Sequence, residues 1–324
     1  MLVSILVPIY GVEKYIERCV VSLLEQDYKD IEYVFVNDYT KDKSMDVLRS
    51  VLKRYPNRIP CVKIINHDLN KGLASTRNTA IVNALGNYVF IVDSDDWISK
   101  NTISESVNLA ILEDADIVNV GINVHYENRV VHRINSFHSK EENLSAVLDK
   151  SVYCNIWGRL IKRSLFFNYG IRCIDGANMG EDFCQVTKLM YFANKISYIN
   201  KPLYNYNCVN CNGYTINYSY DHTVQVWTNY EDVCDFFKSK EEIYRRKLNI
   251  CFLKLICDHL RISKSSKDGE RIFTEERLKL TDDKLKFKRD LNFTDKVLIS
   301  LSASRNAVNT FLSFLSFIKR IKNE

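Results

Sequence analysis

The first hundred residues constrain the fold most, because short apolar, β-rich runs alternate there with segments of helical period. Residues 2–7 are apolar and stopped by Pro8, the pattern of a buried strand. Between Glu13 and Gln26, the residues Tyr15, Ile16, Cys19, Val20, Leu23 and Leu24 fall on one helix face. Residues 31–36 predict a second strand, followed by a helix through Val47, Leu48, Val51 and Leu52. A third strand is expected at 62–65, a helix from Gly72 to about Leu85, and a fourth strand at 88–92. This alternation predicts a mainly parallel, right-handed α/β sheet flanked by helices. Ligands of such sheets bind at the carboxyl ends of the strands. Tyr10, Asn37-Asp38 and Asp93-Ser94-Asp95-Asp96 all fall there.

Beyond residue 100 the pattern is mixed. Residues 116–120 and 123–126 read as two strands, 140–149 and 180–192 as helices, and the chain from about Thr223 as helical throughout. The expected division is a catalytic domain over 1–222 and a helical region over 223–324. The catalytic domain would comprise a nucleotide-binding half at about 1–100 and an acceptor half at about 101–222.

Three clusters carry chemistry. Asp93, Asp95 and Asp96 lie within four residues after a strand and repel one another unless a cation neutralises them. Magnesium or manganese bridges such carboxylates to substrate phosphates, whereas a solvated turn with a helix cap is the plainer reading. Lys71-Gly72-Leu73-Ala74-Ser75-Thr76-Arg77-Asn78 is either a helix start suited to an anionic ligand or an ordinary one with surface charges. Gly180-Glu181-Asp182 opens a helix, where its acids either cap the dipole or take a proton from a hydroxyl.

Taken in order, these elements resemble the family 2 glycosyltransferases of the GT-A fold, from Val3 to about Tyr206. The segments that carry the resemblance are Val7-Pro8-Ile9-Tyr10, Asn37-Asp38, Leu73-Ala74-x-x-Arg77-Asn78 and Asp93-Ser94-Asp95-Asp96. Asn155-x-Trp157-x-x-Leu160, Gly180-Glu181-Asp182 and Pro202-Leu203-Tyr204 follow in the same order. The resemblance implies an inverting glycosyltransferase of bacterial surface-polysaccharide type, dependent on Mn2+ or Mg2+. It would move a sugar from a nucleotide-sugar, by family analogy a UDP-sugar, to a glycan or lipid-linked glycan. It implies that Pro8, Tyr10, Asp38 and Arg77 hold the nucleotide and that Asp93 and Asp95 contact ribose and metal, with Asp96 a third candidate ligand. Asp182 would be the general base with Glu181 beside it. Trp157 would be either a sugar-stacking wall or a core residue. Asn37 and Tyr39 depart from the family's Asp and Gly, and the stretch 206–213 lacks its Ser-rich continuation. His222 is a candidate further ligand, although a lone histidine is more often structural.

Other classes fit less well. No G-x-G-x-x-G follows the first strand, against a dinucleotide-dependent dehydrogenase, and Pro8-Ile9-Tyr10-Gly11 is not the phosphate loop of a nucleotidyltransferase. A non-catalytic sugar-nucleotide scaffold would not require the acidic clusters. Net charge is +5, with the last 87 residues at +9 and the remainder at −4. The basic residues are interleaved with acids and no nucleic-acid module is present, so no nucleic-acid partner is expected. The ten cysteines, without a secretory leader, predict a reducing cytoplasmic setting. Cys208 and Cys211 lack the second pair a zinc site needs. Phe311, Phe314, Phe317, Ile318 and Ile321 beside Lys319, Arg320 and Lys322 suit either an amphipathic helix on an anionic membrane surface or a docked helix.

Overall fold

The computed structural model describes residues 1–134, 137, 139–210 and 218–323, with side chains as far as residue 318. Cys211 and the end of the 206–213 stretch lie outside the described residues, as do the side chains of Lys319, Arg320, Ile321 and Lys322. The chain forms two compact units, Met1–Leu144 with Cys154–Gly213, and Ser145–Tyr153 with Tyr214–Glu324. Their division falls nine residues before the expected one, and the second unit takes an excursion from the first.

The first unit opens with β1 (Val3–Ile9), α1 (Ile16–Leu24), β2 (Ile31–Asn37), α2 (Ser44–Lys53), β3 (Val62–Asn66), α3 (Gly72–Val82) and β4 (Tyr88–Ile91). There follow β5 (Trp97–Ile98), α4 (Thr102–Glu113), β6 (Ile117–Tyr126), β7 (Arg129–Arg133), α5 (Lys140–Leu148, which from Ser145 on belongs to the second unit), β8 (Arg159–Lys162), α6 (Ser164–Asn168), α7 (Glu181–Phe192) and β9 (Ile196–Asn207). The sheet order is β3-β2-β1-β4-β8-β6-β9-β5, with β7 on β6. β1 pairs in parallel with β2 on one side and β4 on the other, so the topological switch lies at β1. The crevice beyond the carboxyl ends there is where ligands of such sheets bind.

β3-β2-β1-β4 and β6-β9 pair in parallel, as expected, and the sheet is mixed in that β8 runs antiparallel to both β4 and β6, as β5 does to β9 and β7 to β6. One expectation needs correction. The two strands expected at 116–120 and 123–126 are one strand, β6. Its register against β9 slips between Val120 and Ile122, where Gly121 faces Pro202. A strand proline is tolerated at such a bulge because no ladder donor is required of it.

The core lies on both faces of the sheet. Ile5, Val7, Tyr33, Phe35 and Phe90 are fully buried beside Leu23 of α1 and Leu48 of α2. Strands covered on both faces read as continuous apolar runs, which is why β1, β2 and β4 are legible in the sequence.

The second unit contains α8 (Tyr220–Phe237), α9 (Glu242–Ile262), α10 (Gly269–Leu278), α11 (Asp282–Leu285), α12 (Phe293–Leu301) and α13 (Arg305–Asn323). Ion pairs from Lys247 to Asp149 and from Lys150 to Asp258, both 2.6 Å, tie its short first segment to α9. Inside, Glu276 accepts from Trp227 Nε1 at 2.7 Å and lies 3.1 Å from His259 Nδ1. None of the described helices is long and apolar enough to cross a membrane.

Candidate active site

The loops after β1 and β2 are knitted together before any ligand is considered. Gly11 N–H donates to Thr40 Oγ1, Thr40 N–H to Asn37 Oδ1, and Val12 N–H to Ser44 Oγ. Tyr39, at the family's glycine position, has φ 59°, the left-handed conformation that glycine adopts without strain. Tyr10 stands at the end of β1 with 56% of its surface exposed. Pro8, expected to touch nucleotide, is instead buried within β1 opposite Val36.

Asp38 is also turned inward. Its Oδ1 accepts from Lys71 N–H and its Oδ2 from Gly72 N–H, both at 2.8 Å, and His67 Nδ1 lies 2.8 Å from Oδ1. The carboxylate therefore satisfies free amides at the start of α3, where the helix dipole also favours it. Only 3% of Asp38 is exposed, so the expected contact with the base gives way to a role in placing α3.

The acidic turn after β4 sorts its carboxylates by burial. Asp93 N–H donates to Tyr204 Oη (3.2 Å), whose hydroxyl donates to Asp96 Oδ2 (2.7 Å). Asp96 Oδ1 accepts from Asn207 N–H at 2.8 Å. Asp96 is fully buried, and burial, then Asp95 and Asp93, push its pKa well above the carboxylate range. Both its oxygens thus serve β9, which removes it from the candidate metal ligands. Asp95 is only partly buried and accepts from Asn210 Nδ2 at 2.8 Å; burial, opposed by that bond, raises its pKa. Trp157 stacks on Tyr204 (4.5 Å, 20°) and Tyr206 (5.0 Å, 15°), so this aromatic layer underlies the turn through the Tyr204 hydroxyl.

Arg77 departs furthest from expectation. Only 2% of its side chain is exposed, and it faces three carboxylates rather than open space. Nη1 donates to Glu181 Oε1 at 2.6 Å and to Asp182 Oδ1 at 2.7 Å, while Nη2 donates to Asp93 Oδ1 at 2.9 Å. Burial opposes its charge, but Asp93, Asp182 and Glu181 outweigh it and hold the guanidinium pKa well above its usual value. Glu181 is pushed up to about 8, first by burial and then by Asp182, with Arg77 opposing. Burial also raises the Asp182 pKa, against Arg77, the Ile156 N–H that its carboxylate accepts, and Arg159. Unlike Glu181, the Asp182 side chain keeps 20% of its surface exposed, so a substrate can reach it.

Sequence reasoning missed the donors from β9 and the segment before β8. The Asn155-x-Trp157 pattern was a signal: Asn155 Nδ2 donates to Trp157 O, and this turn offers Ile156 N–H to Asp182. Cys154 Sγ lies 3.7 Å from the Asp182 carbonyl. His222 is in the helical unit, where its Nδ1 accepts from Ser219 N–H at 3.0 Å in a capping box. Among the described residues, no group of three His, Cys, Asp or Glu side chains is arranged to hold a metal by itself.

Comparison with known proteins gives consistent matches. A family model described as Glycosyl transferase family 2 matches residues 4–177. Glycosyltransferase GlyA of Streptococcus pneumoniae is 31% identical over 222 residues, 63% of this chain and 30% of that protein. The uncharacterized glycosyltransferase EpsJ of Bacillus subtilis is 30% identical over 213 residues, 63% of this chain and 60% of that protein. The chain thus matches less than two thirds of the length of either relative. The fold is that of S. aureus TarS 1-349, solved with UDP-GlcNAc. The TM-score is 0.70 at 18% identity, over 96% of this chain and 90% of that one. The fold is therefore GT-A, with a mixed sheet and a helical C-terminal region.

Proposed function

Because the chain belongs to glycosyl transferase family 2, we propose that it transfers a sugar from a UDP-sugar to a hydroxyl of a bacterial surface glycan or its lipid-linked precursor, inverting the anomeric carbon. The carrying observation is the junction at Arg77, which sets a partly exposed carboxylate, Asp182, beside the turn that opens the donor crevice. UDP is favoured by the UDP-GlcNAc complex of the similarly folded TarS.

In this reading Tyr10 lies against the nucleoside, and Asp93 and Asp95 face the ribose and diphosphate. Asp95 alone would hold the divalent cation, Mn2+ or Mg2+. A single protein carboxylate suits such a cation, whose other ligands come from substrate phosphates, and its charge would offset that building on the leaving diphosphate. Asp182 accepts the proton of the acceptor hydroxyl, whose oxygen bonds to the anomeric carbon as the bond from that carbon to the diphosphate oxygen breaks. The electron pair leaves with the UDP, and a single displacement from the opposite face inverts the centre. Glu181, buried on the same guanidinium nitrogen as Asp182, does not meet substrate.

The helical unit supports a location at the inner face of the cytoplasmic membrane. α13 buries Val308 and Leu312 but leaves Phe314 and Phe317 exposed at 57% and 60%, one turn before the basic sequence Lys319-Arg320-Ile321-Lys322. Aromatic residues beside basic ones are the composition of an interfacial helix on anionic lipid.

Calorimetric titration with a panel of nucleotide sugars, in manganese and then in EDTA, tests the reading. Micromolar binding of one UDP-sugar that EDTA abolishes is expected. Absence of binding by every member would contradict it, and binding without transfer would favour the non-catalytic sugar-nucleotide scaffold instead.

A further inference from the structure

One face of α3 is committed to the segment that carries the base, about one hundred residues away in sequence. Ala74 N–H donates to Asn178 Oδ1 (2.9 Å) and Ser75 Oγ to Asp175 Oδ1 (2.7 Å). Asn78 forms a reciprocal pair with the Cys173 backbone, donating from Nδ2 to its carbonyl and accepting its N–H at Oδ1, both 2.9 Å. Gly72, at φ 84°, stands where a Cβ would collide with the Asn178 side chain. Between these contacts Arg77 reaches Glu181, Asp182 and Asp93.

We propose that Arg77 is the positioning residue for the general base, and that α3, through Asn78, is the seat on which residues 173–182 are docked. The assignment rests on the reading of Asp182 as base given above. Arg77 is nearly inaccessible, both its η nitrogens are taken by carboxylates and its unpartnered Nε is buried, so the side chain is turned away from a nucleotide. Arg77 and the Ile156 N–H both hold the Asp182 carboxylate, and together they fix the direction in which it accepts a proton. One guanidinium set among three carboxylates also sustains negative charge at Asp182, which a base requires. A planar guanidinium that reaches all three carboxyl groups at once does this in a way that a lysine point charge cannot.

The test compares Arg77→Lys and Asn78→Ala with the wild-type full chain, and with the same changes in an Asp182→Asn background. Three quantities are read: UDP affinity by calorimetry with manganese, the rate of UDP release from saturating UDP-sugar with water as acceptor, and hydrogen exchange of amides 173–182. Arg77→Lys is expected to slow release about a hundredfold, the scale of a misplaced catalytic group, with UDP affinity unchanged. On Asp182→Asn it should add almost no further loss, because groups acting as a unit are not additive. Asn78→Ala should slow release about tenfold and speed exchange across 173–182, a smaller displacement of the same group. UDP affinity weakened by Arg77→Lys with the rate kept, or a full further loss on Asp182→Asn, would overturn the proposal. So would unchanged exchange in Asn78→Ala, which reads the seat even if Arg77→Lys fails to fold. Wild-type rates in Asp182→Asn would instead overturn the base assignment, and exchange would still decide the seat.

Discussion

Arg77 Nη1 lies 2.7 Å from Asp182 Oδ1, joining two residues 105 positions apart in sequence. Because Nη2 of the same group lies 2.9 Å from Asp93 Oδ1, a single buried guanidinium links the turn after β4 to the two acids that open α7. In the proposed reaction that side chain joins the donor turn to the base.

The first prediction separates two neighbouring aspartates. Asp95 is partly open, whereas Asp96 is fully buried and bonded to Tyr204 and Asn207. Asp95→Asn should abolish the manganese dependence of nucleotide binding and leave thermal stability within about 0.5 kcal/mol. Asp96→Ala should lower stability by roughly 1–3 kcal/mol through unpaired buried donors. Calorimetry and urea unfolding read both. The reverse pattern would make Asp96 the ligand.

Legibility in the sequence followed burial and locality. Strands β1, β2 and β4 were readable because both faces are covered. β8 is four residues long, and β9 carries Pro202 at a bulge, so neither shows a clean alternation. The positions of Asp93, Asp95 and Asp182 followed from strand and helix ends. The inward facing of Asp38, Arg77 and Asp96 did not, because their partners at Gly72, Asp182 and Tyr204 come from distant elements.

Glu181 contributes to the pH dependence of stability with a determined sign. Glu181, facing Arg77 and Asp182, is raised from 4.5 to about 8 in the fold. A carboxyl raised on folding gives its full stability below the unfolded value and loses it as pH rises to the folded one. The Glu181 contribution should accordingly fall between pH 4.5 and about 8, so wild type should lose stability relative to Glu181→Gln across that range. Urea unfolding across that range checks it, and an undiminished slope in the variant would contradict it.

Gly72 offers a steric test. At φ 84°, with the Asn178 side chain where a Cβ would stand, Gly72→Ala should destabilise the first unit by about 1–3 kcal/mol. Thermal unfolding by circular dichroism measures it. An unchanged midpoint would mean that the junction of α3 with the 173–182 segment yields without strain.

The membrane reading makes its own demand. Phe314 and Phe317 are exposed, so replacing both with serine should leave unfolding unchanged while releasing the protein from phosphatidylglycerol vesicles in a sedimentation assay. Equal pelleting of variant and wild type would exclude these side chains as the anchor.

The most direct test of the central claim is Asp182→Asn, assayed for sugar transfer and for UDP-sugar binding in manganese. The account predicts transfer reduced by roughly 10²–10⁴-fold, the usual worth of a general base, with the donor bound as in the wild type. Transfer at the wild-type rate would contradict it and require another residue to take the acceptor's proton.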